Sequence, residues 1–187
     1  MTNINLSNLI HSAGMEAIQV MTMLGNEYEF EWYEAAVPAA GKVYLKVTSP
    51  ADKFTLVNFR EVRHDQTKGF YRQYRPTAFS GGTVTQTITP VKMRGDSTVA
   101  SAALVQVVTT PTITGAAFSS IPLWGGEGVG NRPQGGGLSQ QGAFRVIPPG
   151  AVTLLEFENN STNPAQWYAY FKQFEISAAA MTQAAEV

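Results

Sequence analysis

A chain of 187 residues with a formal net charge of -1 and 14% charged residues is one domain, with or without arms, and can bury about two-thirds of the surface its unfolded form exposes. Charge this low and balanced gives no electrostatic reason to bind nucleic acid or an anionic membrane, and it suits an exterior covered by neighbours, since soluble domains usually carry roughly 25% charged residues. The lack of cysteine excludes a disulfide framework and cysteine-ligated zinc.

Residues 1–16 read as an N-terminal arm. Ile4, Leu6, Leu9, Ile10 and Ala13 can line one helical face, while Asn8, Ser12 and Gly14 weaken so short a helix. Such an end either frays or reaches onto a neighbouring subunit, so Ile4, Leu6, Leu9 and Ile10 are candidate contact residues. The start has no basic n-region or long apolar h-region, and no apolar run approaches the ~20 residues of a membrane span. Synthesis and folding in a cytoplasm, without a membrane partner, are expected.

Residues 17–176 carry the pattern of an antiparallel β-sandwich. Residues 17–24 alternate, and Gly25-Asn26 fits a two-residue hairpin turn. The next run places Tyr28, Phe30 and Trp32 on one strand face and Glu27, Glu29 and Glu31 on the other. No histidine accompanies these carboxylates, so they read as a solvated face, or one that meets basic residues across a subunit contact, and not as a metal or acid–base site. A turn at 38–41 precedes a strand in which Val43, Leu45 and Val47 alternate with Lys42, Tyr44 and Lys46. In the following strand, 54–63, Phe54 and Leu56 oppose Val57 and Phe59, and the charged end (Arg60, Glu61, Arg63, His64, Asp65) is expected to leave the sandwich.

Residues 70–75 interleave aromatic and basic side chains. Arg and Tyr can stack on bases, but the chain is slightly acidic, and Tyr71 and Arg72 are expected instead at a protein interface, where both types are enriched. Gly81-Gly82 opens a Thr/Val strand that Pro90 ends, residues 93–103 read as a loop, and 104–109 and 112–118 read as two strands around Pro111. Residues 119–142 read as a projecting Gly-rich loop. It is no dinucleotide fingerprint, because after Gly126 and Gly128 the third glycine position holds Asn131, and Arg132-Pro133 opposes a helix. Leu123, Trp124 and Arg132 are its expected anchors on a partner.

Residues 143–176 form a strand, corner, strand, corner, strand unit, with corners at Pro148-Pro149-Gly150 and at 159–164. The last strand is apolar on both faces, with Trp167, Ala169 and Phe171 pointing one way and Tyr168, Tyr170, Phe174 and Ile176 the other. That pattern belongs to an interior strand or one covered by another subunit. Residues 177–187 read as a C-terminal tail.

No set of residues suggests catalysis. His11 and His64 are far apart and have no cysteine partner. His64-Asp65 lacks the Gly-x-Ser-x-Gly elbow of a triad, and the acidic residues fall on alternating strand faces instead of forming a glycosidase pair. Asn159-Asn160-Ser161 and Asn160-Ser161-Thr162 match the glycosylation pattern but read as turn residues. No catalytic, cofactor-binding or metal-ligating residue is assigned, and no enzyme activity is expected.

Several segments recur in a known order: Gly81-Gly82 before a Thr-rich stretch, Pro111-Thr112-Ile113-Thr114-Gly115, a long Gly-rich loop and Ile147-Pro148-Pro149-Gly150. Then come Leu155-Glu156-Phe157-Glu158-Asn159-Asn160-Ser161 and an aromatic strand ending Phe174-Glu175-Ile176. Over roughly residues 70–176 this order resembles jelly-roll virion structural proteins of tailed bacteriophages, of the capsid decoration or cement type, including their closing hairpin. The resemblance implies an all-β sandwich with jelly-roll character, present in the virion in many copies. It also implies a homotrimer that binds the major capsid protein on the capsid exterior after synthesis in the host cytoplasm. The first 70 residues follow the pattern less well, and the particular attachment is expected there. The alternative is a tail or baseplate module that recognises a host surface glycan, for which Trp124, Asn131 and Gln134 would supply the aromatic and amide groups.

Overall fold

A computed structural model describes residues 26–66, 68–93, 99–123, 136–138 and 144–179. The arm, the 17–25 strand and turn, His11, Trp124, Asn131, Arg132, Gln134 and the tail after residue 179 lie outside the described residues.

The strands are β1 (Glu27–Val37), β2 (Lys42–Thr48), β3 (Lys53–His64), β4 (Gly69–Tyr74), β5 (Phe79–Ser80), β6 (Thr83–Ile88) and β7 (Val91–Lys92). They continue with β8 (Leu104–Thr109), β9 (Thr112–Ile113), β10 (Ser119–Leu123), β11 (Gly136–Leu138), β12 (Phe144–Ile147), β13 (Val152–Asn159) and β14 (Ala165–Ser177). All pairings are antiparallel. One sheet runs β11-β3-β14-β1-β7, with β12 also on β3, and the other runs β10-β4-β13-β2-β8-β6; β5 and β9 form a small separate ladder. The protein is an all-β sandwich.

Period-two alternation builds the core between the sheets. Phe30, Trp32, Val57, Val62, Trp167, Ala169 and Phe171 from the first sheet meet Val43, Leu45, Val47, Tyr71, Val105, Val107, Leu155 and Phe157 from the second. The rings interlock across the layers: Phe157 lies 4.8 Å from Trp32 and meets Trp167 edge-on at 5.5 Å. Burying each such ring contributes about 1.5–3 kcal/mol. Gly69 on β4 leaves room for Trp167, whose ring carbons would stand 2.8 and 2.9 Å from an added Cβ.

The unit from β12 to β14 has the expected strands and corners but crosses between the sheets twice. β12 pairs with β3, β13 pairs with β2 and β4 in the opposite sheet, and β14 returns between β3 and β1. β13 and β14 therefore do not form the expected closing hairpin; they are the inner strands of two facing sheets. At the first corner Gly150 adopts φ 68°, which glycine tolerates without a Cβ clash, and its N–H donates to the Pro50 carbonyl at 2.8 Å. At the second, Asn159 is buried, and its Oδ1 accepts from the Ser161 N–H at 3.0 Å and hydroxyl at 2.6 Å.

Three expectations are corrected. β3 does not leave the sandwich at its charged end: between Phe59↔Phe171 and Glu61↔Tyr170 one residue, Arg60, is extra. A bulge reverses the phase of alternation, so Val62 and His64 return inward at 1% and 2% exposure. The segment 112–118 supplies only the two-residue β9, because the amides of Thr114 and Gly115 turn back to the Ala78 carbonyl. The 119–142 segment is not all projecting loop: residues 119–123 form β10 along β4, at the edge of the sheet, where Pro122 costs no ladder bond on its open side, and residues 136–138 form β11 along β3.

Candidate functional site

Most buried ionisable groups brace the sandwich. On the outward face of β13, Glu156 is fully buried, and the register sets it opposite Arg72 of β4. Arg72 bonds both Glu156 and Glu158, Lys42 Nζ lies 3.4 Å from Glu156, and the Tyr74 hydroxyl donates to Glu156 Oε2 at 3.2 Å. Burial, and after it the charge of Glu156, pushes the Tyr44 and Tyr74 hydroxyls up to about 12. Burial pulls the Arg72 pKa down, but its bonds to the two carboxylates outweigh that and leave it raised. Each oxygen of Glu156 is engaged, so the group is a brace and not an acid poised for chemistry.

A second brace closes one end of the core. Glu175 Oε1 accepts from the Ser101 hydroxyl at 2.6 Å and from the amides of Ala102 and Ala103 at 2.9 and 3.1 Å, and Lys53 Nζ lies 3.0 Å from Oε2. This pins residues 101–103 to β14. The glutamates of β1 are also less solvated than their alternation suggests. Glu27 is 2% exposed and pairs with Lys172 at 2.6 Å, Glu29 accepts from the Tyr170 hydroxyl, and Glu31 is exposed. Basic and hydroxyl groups of this same chain meet that face.

His64 stacks on Trp167 at 5.0 Å, with Nε2 3.1 Å from the Leu123 carbonyl. Burial lowers its pKa, and the Leu123 bond and the Asp65 charge only partly oppose this, so the ring is neutral near neutral pH. Asp65 instead accepts from the Gln166 amide at 2.7 Å. The pair is not the half of a triad that its adjacency suggests. Among the described residues no cluster of three or more His, Asp or Glu could hold a metal ion, and no helix is long and apolar enough to cross a membrane.

The described residues selected from sequence for interaction serve this chain's own interior. Tyr71 is 2% exposed, points between the sheets and accepts from Gln73 Nε2 at 2.6 Å. Leu123 is also 2% exposed and joins the core at the end of β10. Arg72, one residue on from Tyr71, faces outward into the Glu156 network. Enrichment at interfaces cannot distinguish a contact with another subunit from one within the chain, and in β4 the neighbouring strand β13 meets both residues, Tyr71 through Phe157 and Arg72 through Glu156 and Glu158.

Two surface features escaped the sequence reading. Among the described residues β6 is an edge strand that pairs only with β8, and residues 83–87 are exposed on both faces. Its sequence, Thr-Val-Thr-Gln-Thr-Ile, holds no charge and no proline. Exposed Val84 and Leu104 flank the ladder at 42% and 51%. The lack of charge in that run was the legible signal.

The second feature is a cleft of about 370 Å³ on the opposite side, where Arg75 after β4 and Phe118 before β10 face β12. The Arg75 and Arg145 guanidinium carbons lie 5.5 and 5.8 Å from the centroid of the Phe118 ring, which is 41% exposed. The walls are Pro76, Val146, Ile147, Pro148 and Val152. No local motif announces it, because its groups come from three distant segments.

No protein-family model matches the chain, and no curated protein matches it.

Proposed function

We propose that the protein is a non-enzymatic structural subunit of a tailed-bacteriophage virion, a capsid decoration or cement protein that self-associates as a homotrimer and binds the major coat protein on the capsid exterior. The observation that carries this reading is β6. An uncharged, β-branched strand whose outer hydrogen-bonding edge no described strand pairs, with both faces exposed, is the template that soluble monomers protect with charge, proline or a covering element. A protein that keeps it open has a use for it, and pairing with another subunit satisfies the ladder and covers Val84. The engagement of Glu156, Glu175 and Glu27 in braces supports a building block over a catalyst. The strand-and-corner order behind the phage resemblance supplies the virion setting. The glycan-recognition alternative rests on Trp124, Asn131 and Gln134, which lie outside the described residues.

The test is mass by light scattering on free protein and on protein released from purified particles, for wild type and for Val84→Lys with Gln86→Lys. Both positions are exposed, so the variant should melt like wild type but lose the trimer and its attachment. A wild type that is monomeric in both preparations, or a double-lysine variant that assembles normally, rules the reading out. A copy number comparable to that of the coat protein fits decoration, and a handful per particle would move the protein to the tail.

A further inference from the structure

We propose that the Arg75–Phe118–Arg145 cleft is a docking site for an acidic peptide segment of a partner protein, an extended stretch that places one carboxylate between apolar side chains. This does not depend on the assembly proposed for β6, which lies at the other edge of the sandwich.

Charge identifies the key group. Arg63 and Arg72 each pair with glutamate, whereas no carboxylate among the described residues pairs with Arg75 or Arg145. Arg145 neighbours the core residue Ile147 on β12 and is itself partly buried, so its charge is only partly hydrated. Two guanidinium groups drawn to one ring, with no acid beside them, form a site that an anion completes; arginine binds carboxylate in a planar, charge-assisted geometry.

The walls identify what carries the anion. A sugar needs partners for its hydroxyls, and the one hydroxyl in the lining, that of Thr153, already donates to the Tyr74 carbonyl at 3.0 Å. A free phosphate would lose its hydration against Val146, Ile147 and Pro148 and gain nothing from them. A peptide carboxylate with apolar neighbours fits both the charge and the walls.

The shape of the cleft identifies the peptide's path. Residues 145, 146, 147 and 148 all line it. A ligand on one face of a strand meets alternate residues; consecutive ones line a groove that follows the strand's edge. β12 pairs with β3 on one side, and no described strand pairs with it on the other. An extended segment can add there by backbone hydrogen bonds while its acidic side chain reaches the arginines.

The experiment uses the full chain and follows the arginine Nε–Hε NMR signals. The probes are the blocked peptide acetyl-Thr-Val-Glu-Val-Thr-amide, its Gln counterpart, N-acetylneuraminic acid and inorganic phosphate. The Glu peptide should shift the Arg75 and Arg145 signals saturably, with the Gln peptide and both small anions at least about tenfold weaker. Arg75→Gln, at an exposed position, should keep the wild-type melting temperature and lose the same margin of affinity. Equal binding of the Glu and Gln peptides overturns the proposal, as does equal binding of the sugar acid or phosphate. So does an absence of shifts up to the solubility limit, or an Arg75→Gln variant that binds like wild type.

Discussion

Glu156→Gln tests whether the charge network behind β13 is a brace. The carboxylate is fully buried, while the side chains of its partners Arg72 and Lys42 remain 22% and 40% exposed. Removing one member of a fully buried pair typically costs about 3–5 kcal/mol. Here the loss is smaller. Lys42 can regain water, Arg72 keeps Glu158, and the amide oxygen still accepts from Tyr74. What disappears is the charge assistance of the Arg72 and Tyr74 bonds, about 1.5–3 kcal/mol in all. At roughly 2–4 °C per kcal/mol for a chain of this size, the melting temperature should fall by about 3–12 °C. Urea denaturation should show the midpoint moving at constant slope. Ultraviolet titration supplies an independent readout, since the Tyr44 and Tyr74 hydroxyls, now at about 12, should titrate lower. They should stay above the ordinary value of about 10, because burial is the larger cause of the shift. A loss under about 0.5 kcal/mol, within the range of ordinary surface substitutions, together with unchanged tyrosine titration, would refute the argument.

Gly69→Ala drives a Cβ to 2.8 Å from a Trp167 ring carbon and 3.2 Å from the Glu158 carbonyl oxygen, so it should cost about 1–3 kcal/mol by overpacking, read from thermal melting. Gly150→Ala has open space but a φ of 68°, so only the left-handed strain of about 1–2 kcal/mol should appear, and Gly150→Asn should recover part of it; equal losses would mean the strain is not the cause. Burial holds the His64 pKa below its ordinary value, so the folded state binds a proton less readily than the unfolded chain. Its contribution is complete above the unfolded pKa of about 6.5 and is lost as pH falls through that value toward the folded pKa. Unfolding free energy measured from about pH 7.5 to about pH 5 should therefore drop more steeply for wild type than for His64→Gln, and parallel curves would refute this.

The sequence shows clearly wherever one strand face is apolar and the other polar. Tyr28, Phe30 and Trp32, or Val43, Leu45 and Val47, announce both strand and core face, and all six are buried. Turn chemistry likewise marks both corners of the β12–β14 unit. What the sequence hides is set by contacts distant along the chain. The bulge at Arg60 has no local signature, yet one extra residue carries His64 from the expected solvent face into the interior. Glu156 and Arg72 stand 84 residues apart, so alternation could assign the glutamate an outward face but not reveal that this face is covered and paired. The arginine cleft is hidden for the same reason, since Arg75, Phe118 and Arg145 meet only when two sheet edges do.

The placement of the two surface features follows from the architecture. An open sandwich leaves ladder groups unpaired at its sheet edges, and stability argues for protecting them. In the second sheet β10 and β6 are separated by β4, β13, β2 and β8. At about 4.8 Å per strand spacing the cleft beside β10 and the open edge of β6 stand roughly 24 Å apart. One short segment cannot occupy both. The chemistry of the two edges differs as well: β6 offers an uncharged Thr/Val ladder suited to a similar strand, while the β12 side offers two cations that a carboxylate would complete. On the two proposals taken together, the chain would pair with its own kind through one edge and hold a different, acidic partner at the other. Two partners at once are what a structural protein between its copies and a second surface requires.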